Sequence, residues 1–271
     1  MNHCGGGYYD KVYMSKVFSF TEDYQYPINA SVIVKGGTGY NIKLVDGKEV
    51  YKKDNDLPYE IEHIMPDYSL YGITDTAYGY MTRGCPRGCR FCIVKEKEGC
   101  GQTVAPLKEF WNGQRNIVLL DPNFFCVREW EDNAQQLIDS KAYIDFCQGV
   151  DIRVMTKEKA ESIKRMRIKY LHFAWDNYDD KDFIVPKLKE FADHTGFDRH
   201  KVVVYLLTNF GSTIDQDLER IYTIRDIGFS PYVMIYNKDQ LPKHHTLRKM
   251  QRWVNSRVIF NSTPTFEQYS S

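Results

Sequence analysis

The sequence predicts an α/β fold, a parallel sheet built from β/α units and preceded by a small N-terminal α/β extension. Three observations carry this expectation. Six short runs of apolar, β-branched and aromatic residues recur from about residue 76 onward. Amphipathic stretches separate them. Several of those stretches open on cap-type residues, and Gly196 and Gly228 stop two of them.

In chain order, the first strand is predicted at 77–81 and the second at 116–120. A helix at 128–141 follows, because Trp130, Ala134, Leu137 and Ile138 recur at helical spacing. The third strand, 142–146, leads to a helix at 156–166. Its cap rests on Thr156 alone, since a Lys stands three residues later. Strand 170–174 precedes helix 179–195, and strand 201–207 precedes helix 212–227. The last strand is 231–236, and a final helix at 241–254 ends near Trp253.

Residues 1–75 read differently. Strand-like runs at 11–13 and 30–34 precede Gly36-Gly37-Thr38-Gly39. That glycine run lacks the Lys-Ser/Thr of a phosphate-binding P-loop and the third glycine of a dinucleotide fingerprint, so it is read as a tight turn. The chain thus divides into an extension at 1–75 that packs on the following domain, a main domain at 76–260 and a C-terminal tail at 261–271.

Composition confines the function classes. With 42% hydrophobic and 27% charged residues, the chain is expected to be soluble and globular. A formal net charge of zero gives no whole-molecule attraction to nucleic acid, so any such binding needs a local patch. No apolar run approaches bilayer length, and Met1-Asn2-His3-Cys4-Gly5-Gly6-Gly7 has no basic-then-apolar export pattern, so a cytoplasmic protein without membrane contact is expected. Seven cysteines, an odd number in a chain this long, argue against a disulfide framework.

The sharpest feature is Arg83-Gly84-Cys85-Pro86-Arg87-Gly88-Cys89-Arg90-Phe91-Cys92. Three thiolates within eight residues, with no fourth at matching distance, suit a cubane iron–sulfur cluster that leaves one iron without a protein ligand. Zinc favours paired C-x2-C sets, and here only Cys89 and Cys92 form such a pair. A zinc knuckle would have to add Cys100 to Cys85, Cys89 and Cys92. The remaining cysteines, Cys4, Cys100, Cys126 and Cys147, are scattered without paired spacing, and the sequence leaves open whether any of them binds metal.

The order C-x3-C-x2-C, with Phe91 just before the last Cys, resembles the signature of the radical S-adenosylmethionine (SAM) superfamily. The resemblance runs by order of elements over about 76–260, but only the cysteine motif is strongly specific. It implies a partial (β/α)6 TIM-like barrel with the chemistry at the C-terminal ends of the strands. It also implies a [4Fe-4S] cluster on Cys85, Cys89 and Cys92, with SAM chelated at the open iron. Reductive cleavage of SAM then yields a 5′-deoxyadenosyl radical, with electrons from a flavodoxin- or ferredoxin-like donor and an unidentified substrate. Residues 1–75 resemble the trimmed end of a cobalamin-binding domain, but the Asp-x-His-x-x-Gly ligand motif is lacking, so no cobalamin is expected.

The same resemblance assigns SAM contacts. Phe91 matches an aromatic position near the adenine, or else simply covers the cluster as a loop hydrophobe. Asp121 and Asn123 supply acceptors where the family binds the SAM amino group, but without the usual glycines; an Asp-Pro turn is the competing account. Gln148, Asp151 and Arg153 follow the third strand. Asp151 and Arg153 would point to one side of a strand, toward a ligand or as a buried pair. Asp176, Asn209 and Tyr236 at later strand ends complete a polar ring.

The basic stretch 238–257 is expected to be one solvated helix face, with Leu247, Met250, Trp253 and Val254 packed inward; phosphate contacts with RNA or DNA are the less favoured reading. A zinc- or cluster-bearing nucleic-acid-binding protein without SAM chemistry is the alternative function.

Overall fold

A computed structural model describes residues 7–45, 48–52 and 57–270. The expectations placed on His3 and Cys4 lie outside the described residues. The chain forms two compact units. One contains the chain up to Ile64 together with Pro86–Cys100; the other contains Met65–Cys85 and the chain from Gly101 onward.

In the first unit, β1 (Tyr9–Ser15) and β2 (Ala30–Gly36) pair in parallel, Tyr9 facing Ala30. A single turn, α1 (Thr38–Asn41), leads to the antiparallel pair β3 (Ile42–Val45) and β4 (Lys48–Tyr51). Two further short helices are α2 (Tyr59–Glu62) and α3 (Val94–Glu98). The glycine run is a tight turn, as read from the sequence. Gly37 has φ 89°, and a Cβ there would lie 2.7 Å from the Lys16 carbonyl oxygen. Gly39 N donates to that same oxygen at 2.8 Å, so the backbone of the turn is engaged by its own unit.

The second unit contains β5 (Thr76–Gly79), the short antiparallel pair β6 (Thr82–Arg83) and β7 (Gln102–Thr103), and β8 (Asn116–Leu119). Then come α4 (Trp130–Ser140), β9 (Tyr143–Phe146), α5 (Lys157–Arg165) and β10 (Arg167–Ala174). They are followed by α6 (Lys181–Thr195), β11 (Val202–Thr208), α7 (Ile214–Ile227) and β12 (Ser230–Ile235). The chain ends in α8 (Thr246–Asn255), α9 (Arg257–Ser262) and α10 (Phe266–Ser270).

Strands β5 and β8 to β12 form one six-stranded sheet in chain order, and every neighbouring pair is parallel. Among the described residues β5 and β12 each pair on one side only, so the sheet does not close into a barrel. Sequential parallel order requires a crossover after each strand, and α4 to α7 supply those from β8 onward.

Period-2 alternation sets the two faces. On β10 it holds from Tyr170 on, where Leu171 and Phe173 are buried while Tyr170, His172 and Ala174 are only half-buried; a register shift between Ile168 and Tyr170 brings Ile168 to the buried side as well. The buried set joins Leu137, Ile163, Leu188, Phe191, Ile221 and Ile224 of the helices in one core. Each such side chain withdrawn from water contributes about 1.5–3 kcal/mol, which is why one face of the sheet is committed to the helices.

The caps follow the sequence closely. Thr156 accepts from Lys159 N, and Gly196 and Gly228 sit in the left-handed region with φ 68° and 93°. Thr213 and Gln216 form a reciprocal capping box on α7. Most boundaries shift by one to three residues, β10 for example starting at Arg167 and not at 170, and two shifts have a visible cause. β5 ends at Gly79, not at 81, because Met81 N turns to a side-chain acceptor. A Cβ on Gly79 would also fall 2.3 Å from the Phe110 ring. Helix α8 starts at Thr246, not at 241, because His245 Nδ1 accepts from Leu247 N at 3.2 Å and caps it there. Two short helices follow α8, and Phe266 of α10 is buried against Trp253 with ring centroids 5.6 Å apart.

The basic stretch does not form one helix face: it spans a 3-10 turn at Lys238–Gln240, a loop, α8 and the start of α9, with Lys249 and Arg252 exposed on α8. Leu247, Met250, Trp253 and Val254 are buried, and Arg248 Nη2 donates to Lys238 O at 2.6 Å and Leu241 O at 3.1 Å.

Candidate functional site

The residues following β5 and β8 form the best-built polar corner of the second unit. Asp121 is 3% exposed. Its Oδ1 accepts from Thr82 N at 2.5 Å and Thr82 Oγ1 at 2.7 Å, and its Oδ2 from Met81 N at 3.3 Å. The carboxylate therefore latches the chain leaving β5 to the chain leaving β8. Burial pushes the Asp121 carboxyl up to about 7, against the hydrogen bonds from Thr82 and Met81 that favour its ionised form.

Replacing Asp121 by alanine would leave two main-chain N–H groups and one hydroxyl without acceptors, a loss of roughly 2–5 kcal/mol. Because the folded value stands above the unfolded 3.8, the folded chain keeps a proton that the unfolded chain has released between about pH 4 and pH 7. This group's contribution to stability is therefore present below that window and is lost as pH rises through it. Urea denaturation at pH 4.5 and pH 7.5 should show that loss in the wild type and a flatter dependence in Asp121→Ala. Equal pH slopes in both would contradict the assignment.

The latch sets the position of Cys85, three residues past Thr82. Asn123 Nδ2 donates to Cys85 Sγ at 3.5 Å, and Asn123 itself is 2% exposed. Its Oδ1 is buried and has no hydrogen-bond partner among the described residues. An amide oxygen left in that state costs about 1–3 kcal/mol unless a ligand supplies a donor. Cys126 lies beside the same corner. A Cβ on Gly101 would fall 2.4 Å from Cys126 Sγ, and burial, aided by Cys85, raises the Cys126 thiol to about 11.

Cys89 and Cys92 belong to the first unit, where Cys92 N donates to Cys89 O at 3.0 Å in a tight turn. All six cysteines among the described residues are free thiols. No group of three or more His, Cys, Asp or Glu side chains stands at metal-binding geometry among the described residues. Three unoxidised thiols in one short run nonetheless fit an iron–sulfur cluster by the chemistry of their donor set. Phe91 is on the same run and is 36% exposed.

The other residues of the expected ring fall into separate groups. Gln148 is exposed, and its Nε2 lies 3.8 Å from Cys147 Sγ. Asp151 and Arg153 do not alternate along a strand, which corrects the sequence expectation. Gly149, with φ 103°, takes the chain out of extended geometry after β9. Asp151 then caps a 3-10 turn at Ile152–Val154, its Oδ1 accepting from Arg153 N at 3.0 Å and Arg153 Nε at 2.7 Å. Arg153 Nη1 also reaches Asp180 Oδ2 at 3.5 Å. Burial lifts the Asp176 carboxyl to about 6, opposed by the nearby Arg220 and Arg153. Asn209, with φ 62°, donates through Nδ2 to Tyr236 O at 2.8 Å, and the Tyr236 ring meets Phe210 edge-on at 4.9 Å.

One residue absent from the expected set organises these strand ends. Arg220 of α7 is fully buried. Its guanidinium donates to the carbonyls of Trp175 at 2.7 Å, Asp176 at 3.1 Å and Leu207 at 2.8 Å, and to Asp217 Oδ1 at 2.5 Å. In the sequence Asp217 and Arg220 read as an ordinary solvated i,i+3 pair. Only the apolar residues around them, Ile221 and Ile224, hint that this turn faces inward.

No protein-family model matches the chain, and no curated protein matches it. Among solved structures it is similar to SuiB of Streptococcus suis. The SuiB structure bound to S-adenosylmethionine is 13% identical, with a TM-score of 0.49, over 70% of this chain and 48% of that one. The SuiB structure bound to the precursor peptide SuiA is 12% identical, with a TM-score of 0.48, over 70% of this chain and 46% of that one. The chain thus spans less than half the length of either.

Proposed function

We propose that the chain is a radical SAM enzyme, binding a [4Fe-4S] cluster through Cys85, Cys89 and Cys92 and cleaving SAM reductively to act on a further substrate. The observation that carries this reading is the run C-x3-C-x2-C, which follows, by way of the short β6, the first strand of a six-stranded parallel sheet whose strands follow chain order. When bound, the cluster supplies the electron that splits the SAM sulfonium to a 5′-deoxyadenosyl radical.

The remaining work falls to the chain's own residues. Asn123 Oδ1, buried beside Cys85 and without a hydrogen-bond partner among the described residues, is suited to accept from the SAM amino group. Asp121 serves this site as the latch that holds residues 81–82, with both its oxygens already engaged. Arg83, Arg87 and Arg90 put positive charge near an anionic cofactor. Asp151, Arg153 and Asp176 form a charged group past β9 and β10 that can hold ribose hydroxyls or a polar substrate, while Phe91, Gln148, Asn209 and Tyr236 offer further contacts. A radical abstracts hydrogen without a general base, so positioning and the exclusion of water are what the protein must provide.

Anaerobic reconstitution should load about four iron and four sulfide per chain. Reduction in the presence of SAM should then release 5′-deoxyadenosine. Zinc at about one per chain, with no iron and no SAM cleavage, would replace this reading with that of a zinc-bearing nucleic-acid-binding module.

A further inference from the structure

A cavity of about 860 Å³ opens on the sheet face left free by the helix-packed core. Its floor contains Asp145, Cys147, His172 and Tyr205, all half-buried, with Tyr232 beside them. None of these residues has a part in the cluster or SAM reading.

The donors on this floor are already engaged by main-chain carbonyls. His172 Nδ1 lies 3.0 Å from Phe146 O, and a carbonyl can only accept, so Nδ1 carries the proton and Nε2 the lone pair. Tyr205 Oη donates to Cys147 O at 3.1 Å, and Cys147 Sγ to Leu119 O at 3.3 Å. Asp145 Oδ1 lies 3.8 Å from His172 Nδ1, too far for a hydrogen bond. That oxygen is shielded from solvent and has no hydrogen-bond partner among the described residues.

What these groups still offer is acceptors and ring faces. The His172 and Tyr205 rings stack at 4.9 Å with 12° between their planes, and Tyr232 meets Tyr205 edge-on at 5.6 Å. Burial holds the Asp145 carboxyl above its ordinary value and the His172 imidazole below its own. A carboxylate short of donors among aromatic faces is completed by a cation that brings N–H groups.

We propose that this cavity is a binding site for an organic ammonium ion, with Asp145 and His172 Nε2 accepting its N–H bonds and Tyr205 and Tyr232 lending their rings to the body that carries it. The exposed mouth carries Arg199 and Arg257, which would favour an anion instead. Arg225 is less available, since its Nη1 donates to Pro264 O at 2.6 Å and its guanidinium lies over the Tyr222 and Phe260 rings. The site is independent of the cluster reading, because its residues are in place without any cofactor.

Calorimetric titration of the full chain at pH 7.5 with three matched probes decides the matter: 2-phenylethylammonium, 2-phenylethanol and phenylacetate. The ammonium probe should bind at least about tenfold more tightly than the alcohol, with phenylacetate weakest. Asp145→Asn should remove that preference, and its circular dichroism spectrum reports whether the variant is folded. If the variant does not fold, the ammonium-to-alcohol ratio on the unaltered chain still decides. Equal binding of alcohol and ammonium, tightest binding of phenylacetate, binding of none, or an unchanged preference in folded Asp145→Asn would each overturn the proposal.

Discussion

Cys89→Ala should reduce 5′-deoxyadenosine formation by at least about 100-fold, since even changes behind a metal's direct ligands cost 10–100-fold. Iron should fall well below the roughly four per chain expected of the parent protein. The same loss should appear in Cys85→Ala and Cys92→Ala, because each would remove one of only three protein ligands. Cys100→Ala is the discriminating partner. A zinc knuckle needs Cys100 as its fourth ligand and would lose its metal in that variant, whereas a three-thiolate cluster would keep its iron and its activity. Cys126→Ala should likewise retain iron, since burial holds that thiol protonated to about 11. Iron analysis and SAM-cleavage assays on the variants, all handled without oxygen, give the answer. A Cys89→Ala protein that still released 5′-deoxyadenosine would remove the basis of the reading.

Much of the fold could be read from residue order, and the reasons are specific. Strands inside a parallel sheet are largely withdrawn from water on both faces, and Val202–Thr208, with no exposed residue, is accordingly dense in β-branched and aliphatic residues. The helices announced themselves by caps, and Thr156, Gly196 and Gly228 act as their residue types suggested. One boundary that differs was set by a side chain from a distant part of the chain. Asp121 shortens the first strand of the sheet by taking Met81 N and Thr82 N, residues some 40 positions away. The turn at Asp151 and Arg153 looked like strand because alternation of charged residues fits a pleat, but Gly149 changes the backbone before that pattern can operate.

The candidate site was legible where chemistry is written into spacing, as in the cysteine run, and less so where it depends on burial. Asn123 was identified by its place after a strand, but only its environment reveals an orphaned oxygen. The ammonium cavity follows a pattern visible in the sequence once the strand is known. Tyr170 and His172 alternate with Leu171 and Phe173, and the polar member of such a pair belongs to the uncovered face. Arg220 gave no comparable signal, since an arginine four residues before an isoleucine on a helix looks the same whether it is solvated or enclosed.

Arg220→Met should therefore be the most destabilising single change in the second unit, by about 3–5 kcal/mol. Methionine keeps an unbranched apolar stem but leaves Asp217 charged and fully enclosed, and it strips a donor from each of the carbonyls of Trp175, Asp176 and Leu207. For a domain of this size such a loss lowers the melting temperature by roughly 10 °C. The paired change Asp217→Leu with Arg220→Met removes the stranded charge and should recover most of that stability, because buried ion pairs are often replaceable by apolar residues of similar volume. It does not restore the three carbonyl contacts that fix the C-terminal ends of β10 and β11. SAM cleavage by the doubly substituted protein therefore separates two roles. Recovered melting with activity still depressed would place Arg220 as the residue that positions the strand ends, and full recovery of both would reduce it to a partner for Asp217.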